Sequence, residues 1–250
     1  MESQGYSKLE SVGKTLIELN MDKRFLYEDN KKSREDIIQI YFDIIKEANE
    51  NMGEYFSRLP KATVIVKPVP SYSEKNAAGG YYRSPTLDGS RPGIFYANLY
   101  DIKATPKFSM KTLAFHEAIP GHHFQIALSQ ENNQLNLFRK FGVHATAYTE
   151  GWALYAEKLA VEAGLSDDPY DQIGFLQSEL FRAVRLVVDT GIHYKRWTRE
   201  EAIEYMINIT GKAQSSVIAE IERYISWPGQ ACSYKIGMLS ILKLRKKAKE

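Results

Sequence analysis

His116-Glu117-Ala118-Ile119-Pro120-Gly121-His122-His123 is the stretch on which the reading of this chain turns. It gathers three of the five histidines into eight residues and sets a glutamate directly behind the first. Leu113-Ala114-Phe115 leads in and Phe124-Gln125-Ile126-Ala127-Leu128 follows, so the motif lies on apolar, helix-compatible sequence. That is the setting of a metal-binding helix in which two imidazoles hold a zinc ion and the adjoining glutamate acts as general base.

The spacing demands a break. In the simplest zinc helix the histidines are four apart, but position 120 is Pro. His116 and His122 are six apart, a rotation of about 600° that leaves the rings about 120° from each other on an ideal helix. They converge only if the helix is interrupted between them. Pro120 removes a backbone donor and clashes with the preceding turn, and Gly121 permits dihedrals that other residues avoid. His123 returns to the face of His116 but sits about 10 Å further along the axis. His122 is therefore the expected second ligand, with His123 as the alternative.

A catalytic zinc needs a third protein ligand and an open position. Glu150, at the head of the apolar segment Ala147-Tyr148-Thr149-Glu150-Gly151-Trp152-Ala153-Leu154, is the best candidate, because a carboxylate buried there requires a cation. Glu157, two turns on, either bonds a ligand histidine or faces solvent. Glu117 is placed to act as the base. Donors for a developing oxyanion are sought in His193 and in Tyr224, Tyr234 and Lys235; His144 is read as structural. Arg182, Arg185 and Asp189 share one helix, where Arg185 and Asp189 form a helix-face ion pair or Arg185 grips a substrate carboxylate. Upstream, Gly79, Gly80, Pro85, Gly89 and Pro92 mark turns. Ile94 to Leu99 reads as a strand whose free edge accepts a peptide, with Asn98 as the side chain to test. A di-iron carboxylate bundle is disfavoured, since no Glu-x-x-His repeat follows Glu117 or Glu150.

Four segments together resemble one family. His116-Glu117-Ala118-Ile119-Pro120-Gly121-His122-His123-Phe124-Gln125, the Tyr148 to Leu159 segment, Arg182 to Thr198 and Pro228 to Gly237 look like the bacterial proteins grouped as domain of unknown function 885, over roughly residues 77 to 240. Those proteins are similar to gluzincin-type metallopeptidases. The resemblance implies a mainly α protein with a small β-sheet, a gluzincin-like helical domain holding zinc. By that likeness His116, His122 and Glu150 are the ligands, Glu117 is the base, and peptides or small amides are the substrates. One metallopeptidase-like domain is expected over 1–250, with a strand region at 61–100 and a helical metal-binding core at 105–250. Family members are longer and carry a helical N-terminal half. The chain is therefore expected to be a fragment, or a compact form completed by an N-terminal half or a second copy, and its other reading is a non-catalytic binding module.

Composition bounds the rest. At 250 residues, 44% hydrophobic and 26% charged, the chain can bury a full core. A net charge of +2 argues for neither nucleic acid nor an anionic membrane as partner. The single cysteine, Cys232, excludes an intrachain disulfide and fits a cytoplasmic protein. The N-terminus shows no signal pattern, and no apolar run approaches the roughly 18 residues of a membrane span.

Periodicity predicts helices over about 7–20, a second capped by Ser33 with an Ile37, Ile38, Tyr41, Ile44, Ile45 stripe, and one over 109–130 broken near Pro120. More follow over 146–163, 168–190, 199–210 behind a Thr198/Glu201 capping box, 213–226 and 229–249. Thr63 to Lys67 reads as a strand ended by proline.

Overall fold

Ile37, Tyr41, Ile44, Ile45 and Ala48 recur at helical spacing and are all buried, so helix α2 (Lys31–Asn51) lays one stripe into the principal core. A computed structural model describes residues 11–142 and 145–250. Helix α1 (Val12–Met21) precedes α2, with Ser11 capping it; the expected start near residue 7, like His144, lies outside the described residues. Asn30, not Ser33, caps α2: its side chain accepts the Ser33 N–H at 2.8 Å. Ser33 is thus the residue being capped, and the helix begins two residues before it, at Lys31.

Three short strands follow, β1 (Val64–Pro68), β2 (Gly80–Arg83) and β3 (Gly93–Ala97), ordered β1-β3-β2. β1 runs parallel to β3 with Val64 opposite Gly93, and β2 runs antiparallel with Gly80 opposite Ala97. The strand expected over Ile94 to Leu99 is therefore the centre of the sheet. Its backbone is paired on both sides, and the edges of the sheet are β1 and β2, the latter a segment whose glycines mark it as a turn in sequence. Phe95 is fully buried and packs edge-on against Tyr41, their ring centroids 5.0 Å apart.

The helical remainder comprises α3 (Met110–Glu117), α4 (His122–Glu131), α5 (Thr146–Glu162), α6 (Pro169–His193), α7 (Arg199–Thr210), α8 (Gln214–Ser226) and α9 (Ser233–Lys249). The chain is mainly α with a small mixed sheet. Among the described residues no helix is long and apolar enough to cross a membrane. The Thr198/Glu201 capping box opens α7, and Gly211, at φ 65°, closes it. A second core lies around Phe181 and Val188 of α6, Met206 of α7 and Ile221 of α8.

Helices α5 and α9 meet backbone to backbone. A Cβ on Gly237 would lie 1.8 Å from the Ala147 carbonyl oxygen, and one on Gly151 would lie 2.5 Å from the Gly237 Cα. Only hydrogen fits at this crossing, which fixes the first turn of α5 one residue from Glu150. Gly237→Ala must push the helices apart, and we expect it to destabilise the protein by about 1–3 kcal/mol, as overpacked cores do. Urea denaturation checks this; an unchanged midpoint would mean that the close approach is not part of the folded state.

Candidate metal centre

The break falls where the spacing requires it. α3 ends at Glu117, α4 begins at His122, and the Ile119–Pro120 peptide between them is cis. Gly121 lies over the end of α3 so closely that a Cβ would stand 2.0 Å from the His116 carbonyl oxygen. The Trp152 indole donates to the Pro120 carbonyl at 2.9 Å and ties the break to α5. His116, on the last turn of one helix, and His122, the first residue of the next, thereby face each other edge-on with centroids 4.9 Å apart.

Glu150 closes the group from α5. Its Oε2 is 3.2 Å from His122 Nε2 and 3.6 Å from His116 Nε2, and one ligand atom from each of the three residues lies within 4.8 Å of the others. Glu157 is fully buried and accepts from His116 Nδ1 at 2.7 Å. That bond turns Nε2 toward Glu150, so that Nε2 is the atom a metal would take in place of a proton. Ser178 and Arg182 hold the other side of Glu157, at 2.8 and 3.4 Å. The solvent-facing reading of Glu157 is thus overturned.

Two imidazoles and a carboxylate are a fitting donor set for a divalent cation. The charges point the same way. Burial disfavours a cationic His116, yet its bonds to Glu150 and Glu157 outweigh that and raise it to about 9. Burial likewise opposes ionisation of Glu150, and the two histidines overcome it, holding the carboxylate well below its usual range. The cluster therefore demands positive charge, which a proton supplies when a metal does not. Glu117 Oε2 and Glu150 Oε2 are buried without a hydrogen-bond partner, unmet acceptors that a bound ion and its water would relieve.

His123 is excluded as a ligand by its own bonds. Its Nδ1 pairs with the Tyr82 hydroxyl at 2.9 Å and its Nε2 with the Ala62 carbonyl at 2.9 Å, so both ring nitrogens are used. Burial pushes it down to about 4, which keeps it neutral. Gly93 makes the room: a Cβ there would lie 2.5 Å from His123 Nδ1.

His116, Glu117, His122 and Glu150 line one cleft of about 430 Å³, together with Tyr81 and Tyr82 of β2, Arg182 and Arg185 of α6, and Tyr234 of α9. Glu117 is buried beside the two histidines, and desolvation raises its pKa. The Tyr234 ring stacks on His116 with centroids 6.0 Å apart, while the Arg185 guanidinium lies 4.2 Å from the Tyr234 centroid.

Other sequence candidates stand elsewhere. His193 Nε2 bonds the Tyr224 carbonyl at 2.9 Å and does not line the cleft. Lys235 pairs with Glu179 on α6, also outside it. Asn98 donates to the carbonyls of Glu74, Ala77 and Ala78 and accepts from Tyr100, so its amide is spent on a turn. Tyr224 sits behind the cleft, donating to Glu220 at 2.6 Å and accepting from Arg185 Nε at 2.7 Å. Arg185 does not pair with Asp189, which instead accepts the Gly229 N–H; its partner is Glu220 at 2.8 Å. Sequence reading missed Glu220 and Arg223 on α8 and Lys212 in the link before it, whose local sequence gave no sign that they face the cleft.

The profile of the family described as "Bacterial protein of unknown function (DUF885)" matches residues 1–250. A crystal structure described as that of "the putative lipoprotein from Colwellia psychrerythraea" is similar at 52% identity and a TM-score of 0.95, over 99% of this chain and 42% of that one. A second, described as "a putative lipoprotein of unknown function from Shewanella oneidensis", shares the fold at 20% identity and a TM-score of 0.78, over 99% of this chain and 46% of that one. The chain thus spans less than half the length of either solved structure. No curated protein matches it.

Two measurements follow from the geometry. Elemental analysis should find a divalent metal in the wild type and in His123→Ala but not in His122→Ala, and Glu157→Gln should weaken metal affinity about 10- to 100-fold. Metal retained by His122→Ala would reassign the ligands. Separately, burial opposes ionisation of Glu220, but Arg185 and Arg223 outweigh it and lower its pKa from 4.5 to about 2. A depressed folded pKa contributes stability above the unfolded value that is lost as pH falls through the folded one. Glu220→Gln should therefore flatten the loss of stability between pH 4.5 and about 2; an unaltered pH profile would mean that Glu220 is not held ionised.

Proposed function

This chain belongs to the DUF885 family, and we propose that it acts as a zinc-dependent, gluzincin-like metallopeptidase, hydrolysing peptide or small amide bonds. One observation carries the proposal: a His116, His122, Glu150 triad with an unpaired carboxylate oxygen of Glu117 in the same cleft. Zinc suits two imidazoles and one carboxylate and leaves a fourth position open. When bound, it lowers the pKa of a water and polarises a carbonyl.

The chain's own residues do the rest. Glu157 orients His116 through Nδ1. Glu117, its proton affinity raised by burial, takes a proton from the attacking water and delivers it to the leaving amine. Tyr234 is held protonated, its pKa raised by burial and by the Glu150 charge, so its hydroxyl is a donor for the developing oxyanion. The free edge of β2, which contributes Tyr81 and Tyr82 to the cleft, offers backbone groups to an extended peptide.

A second reading rests on length. Because the chain spans less than half of the similar solved structures, it also suits a metal-binding part that works only with an N-terminal half or a second copy. The cytoplasmic location that fits a single cysteine belongs to the same proposal, and the lipoprotein descriptions of both neighbours weigh against it.

Glu117→Gln decides between the readings. Under the peptidase reading it lowers kcat on peptides by about 100- to 10,000-fold with metal content intact. Turnover equal to wild type would remove Glu117 from the chemistry. A metal-replete wild type that cleaves no peptide would favour the non-catalytic reading.

A further inference from the structure

One cluster in the cleft is cationic beyond what the carboxylates paired with it balance. Arg182 and Arg185 of α6, Lys212 after α7 and Arg223 of α8 all line the cleft. Glu220 is the carboxylate among them, and it is shared: Arg185 Nη2 and Arg223 Nη2 each donate to its Oε2 at 2.8 Å, and the Tyr224 hydroxyl donates at 2.6 Å. Glu157, the partner of Arg182, is already engaged by His116 and Ser178.

Three guanidinium nitrogens here are buried with no hydrogen-bond partner: Arg182 Nε, Arg185 Nη1 and Arg223 Nε. Arg182 and Arg185 are only 9% and 4% exposed. Leaving such donors unmet is costly, and it is accepted most readily where a ligand supplies the acceptor. Among the described residues Lys212 Nζ has no ion-pair partner, and it lies over the Phe181 ring, 5.5 Å from its centroid. Burial first, and then the positive charges of Arg182 and Arg185, lower Lys212 to about 8. A negative charge beside it would reverse that.

We propose that this cationic cluster is a subsite for a substrate carboxylate, selecting peptides whose free C-terminus lies close beyond the cleaved bond. The proposal deepens the peptidase reading and rests on it for the existence of a scissile bond. Planar guanidiniums match the two oxygens of a carboxylate. Tyr234 sets the reach: its ring centroid is 6.0 Å from that of His116 and 4.2 Å from the Arg185 guanidinium carbon, so the two are at most about 10 Å apart. An extended residue covers about 3.5 Å, so the carboxylate falls within about three residues of the reacting carbonyl. Such a site trims short pieces from C-termini and leaves the interior of long chains uncut.

The test is binding by calorimetry to the zinc-loaded Glu117→Gln protein, which removes turnover from the readout. The probes are N-acetyl-Ala-Ala-Ala with a free C-terminus, its C-terminal amide, an amide carrying Glu as last residue, and inorganic phosphate. The free acid should bind about 10- to 100-fold tighter than the amide, the range of a charged hydrogen bond. Lys212→Met should erase that preference and Lys212→Arg should restore it. Equal binding of acid and amide overturns the proposal. Equal binding of the acid and the Glu-bearing amide overturns selection of the terminus in favour of acidic side chains, and phosphate binding more tightly than the acid overturns the carboxylate assignment. If wild type cleaves none of these peptides yet the acid preference stands, the peptidase reading fails and the carboxylate site survives.

Discussion

The structure depends on carboxylates that have been taken out of water and must be answered with positive charge. Glu157 is fully buried, and Glu150, its side chain 17% exposed, stands between two imidazoles. Transferring an ion-sized charge from water costs several kcal/mol even after relaxation, unless a counter-charge meets it. Here the answers are arranged in series. Arg182 faces Glu157, Glu157 faces His116, and His116 faces Glu150. With His116 raised to about 9, a proton occupies the slot where a metal would sit at neutral pH. Metal binding then becomes an exchange of a cation for a proton, so affinity and pH are linked from the outset.

That chain of charges needs its members delivered from four segments, and close backbone approaches deliver them. The interruption at Pro120 and Gly121 turns a six-residue separation, unsuitable on one helix, into two facing imidazoles. The Gly151–Gly237 crossing fixes α5, and with it Glu150 and Glu157, against α9, which brings Tyr234 over His116. The backbone carries the precision that the site requires, which leaves little freedom in those glycines.

How much of this was legible in the sequence follows from the range of each interaction. The helices, the break, the capping box and the convergence of His116, His122 and Glu150 rest on spacing within a dozen residues or on a buried acid that needs a cation, and they were readable. The fates of the other polar groups were not. His193 meets the Tyr224 carbonyl, Lys235 meets Glu179, and Asn98 ties down a turn, each through a partner that only the fold brings near. β2 was hidden because Gly79 and Gly80 read as a turn, although a Cβ on Gly80 would lie 2.8 Å from the Phe95 ring and so is excluded by packing. His123 was discarded by the structure for a reason no spacing could supply, namely that Ala62 and Tyr82 had already claimed its nitrogens.

The cleft also sets two kinds of group side by side. Glu117 and the triad line it together with Arg185, Lys212 and Arg223, and the Tyr234 ring neighbours both His116 and Arg185. The arginine network built around Glu220 stays positive after its own carboxylate is counted. A cation held by the triad beside that network would suit an extended ligand that carries a polarisable carbonyl and a full negative charge a short distance apart. A peptide end has that pattern, and an internal stretch of peptide lacks the charge. Complementarity of this kind favours a ligand by polarity and length rather than by shape alone.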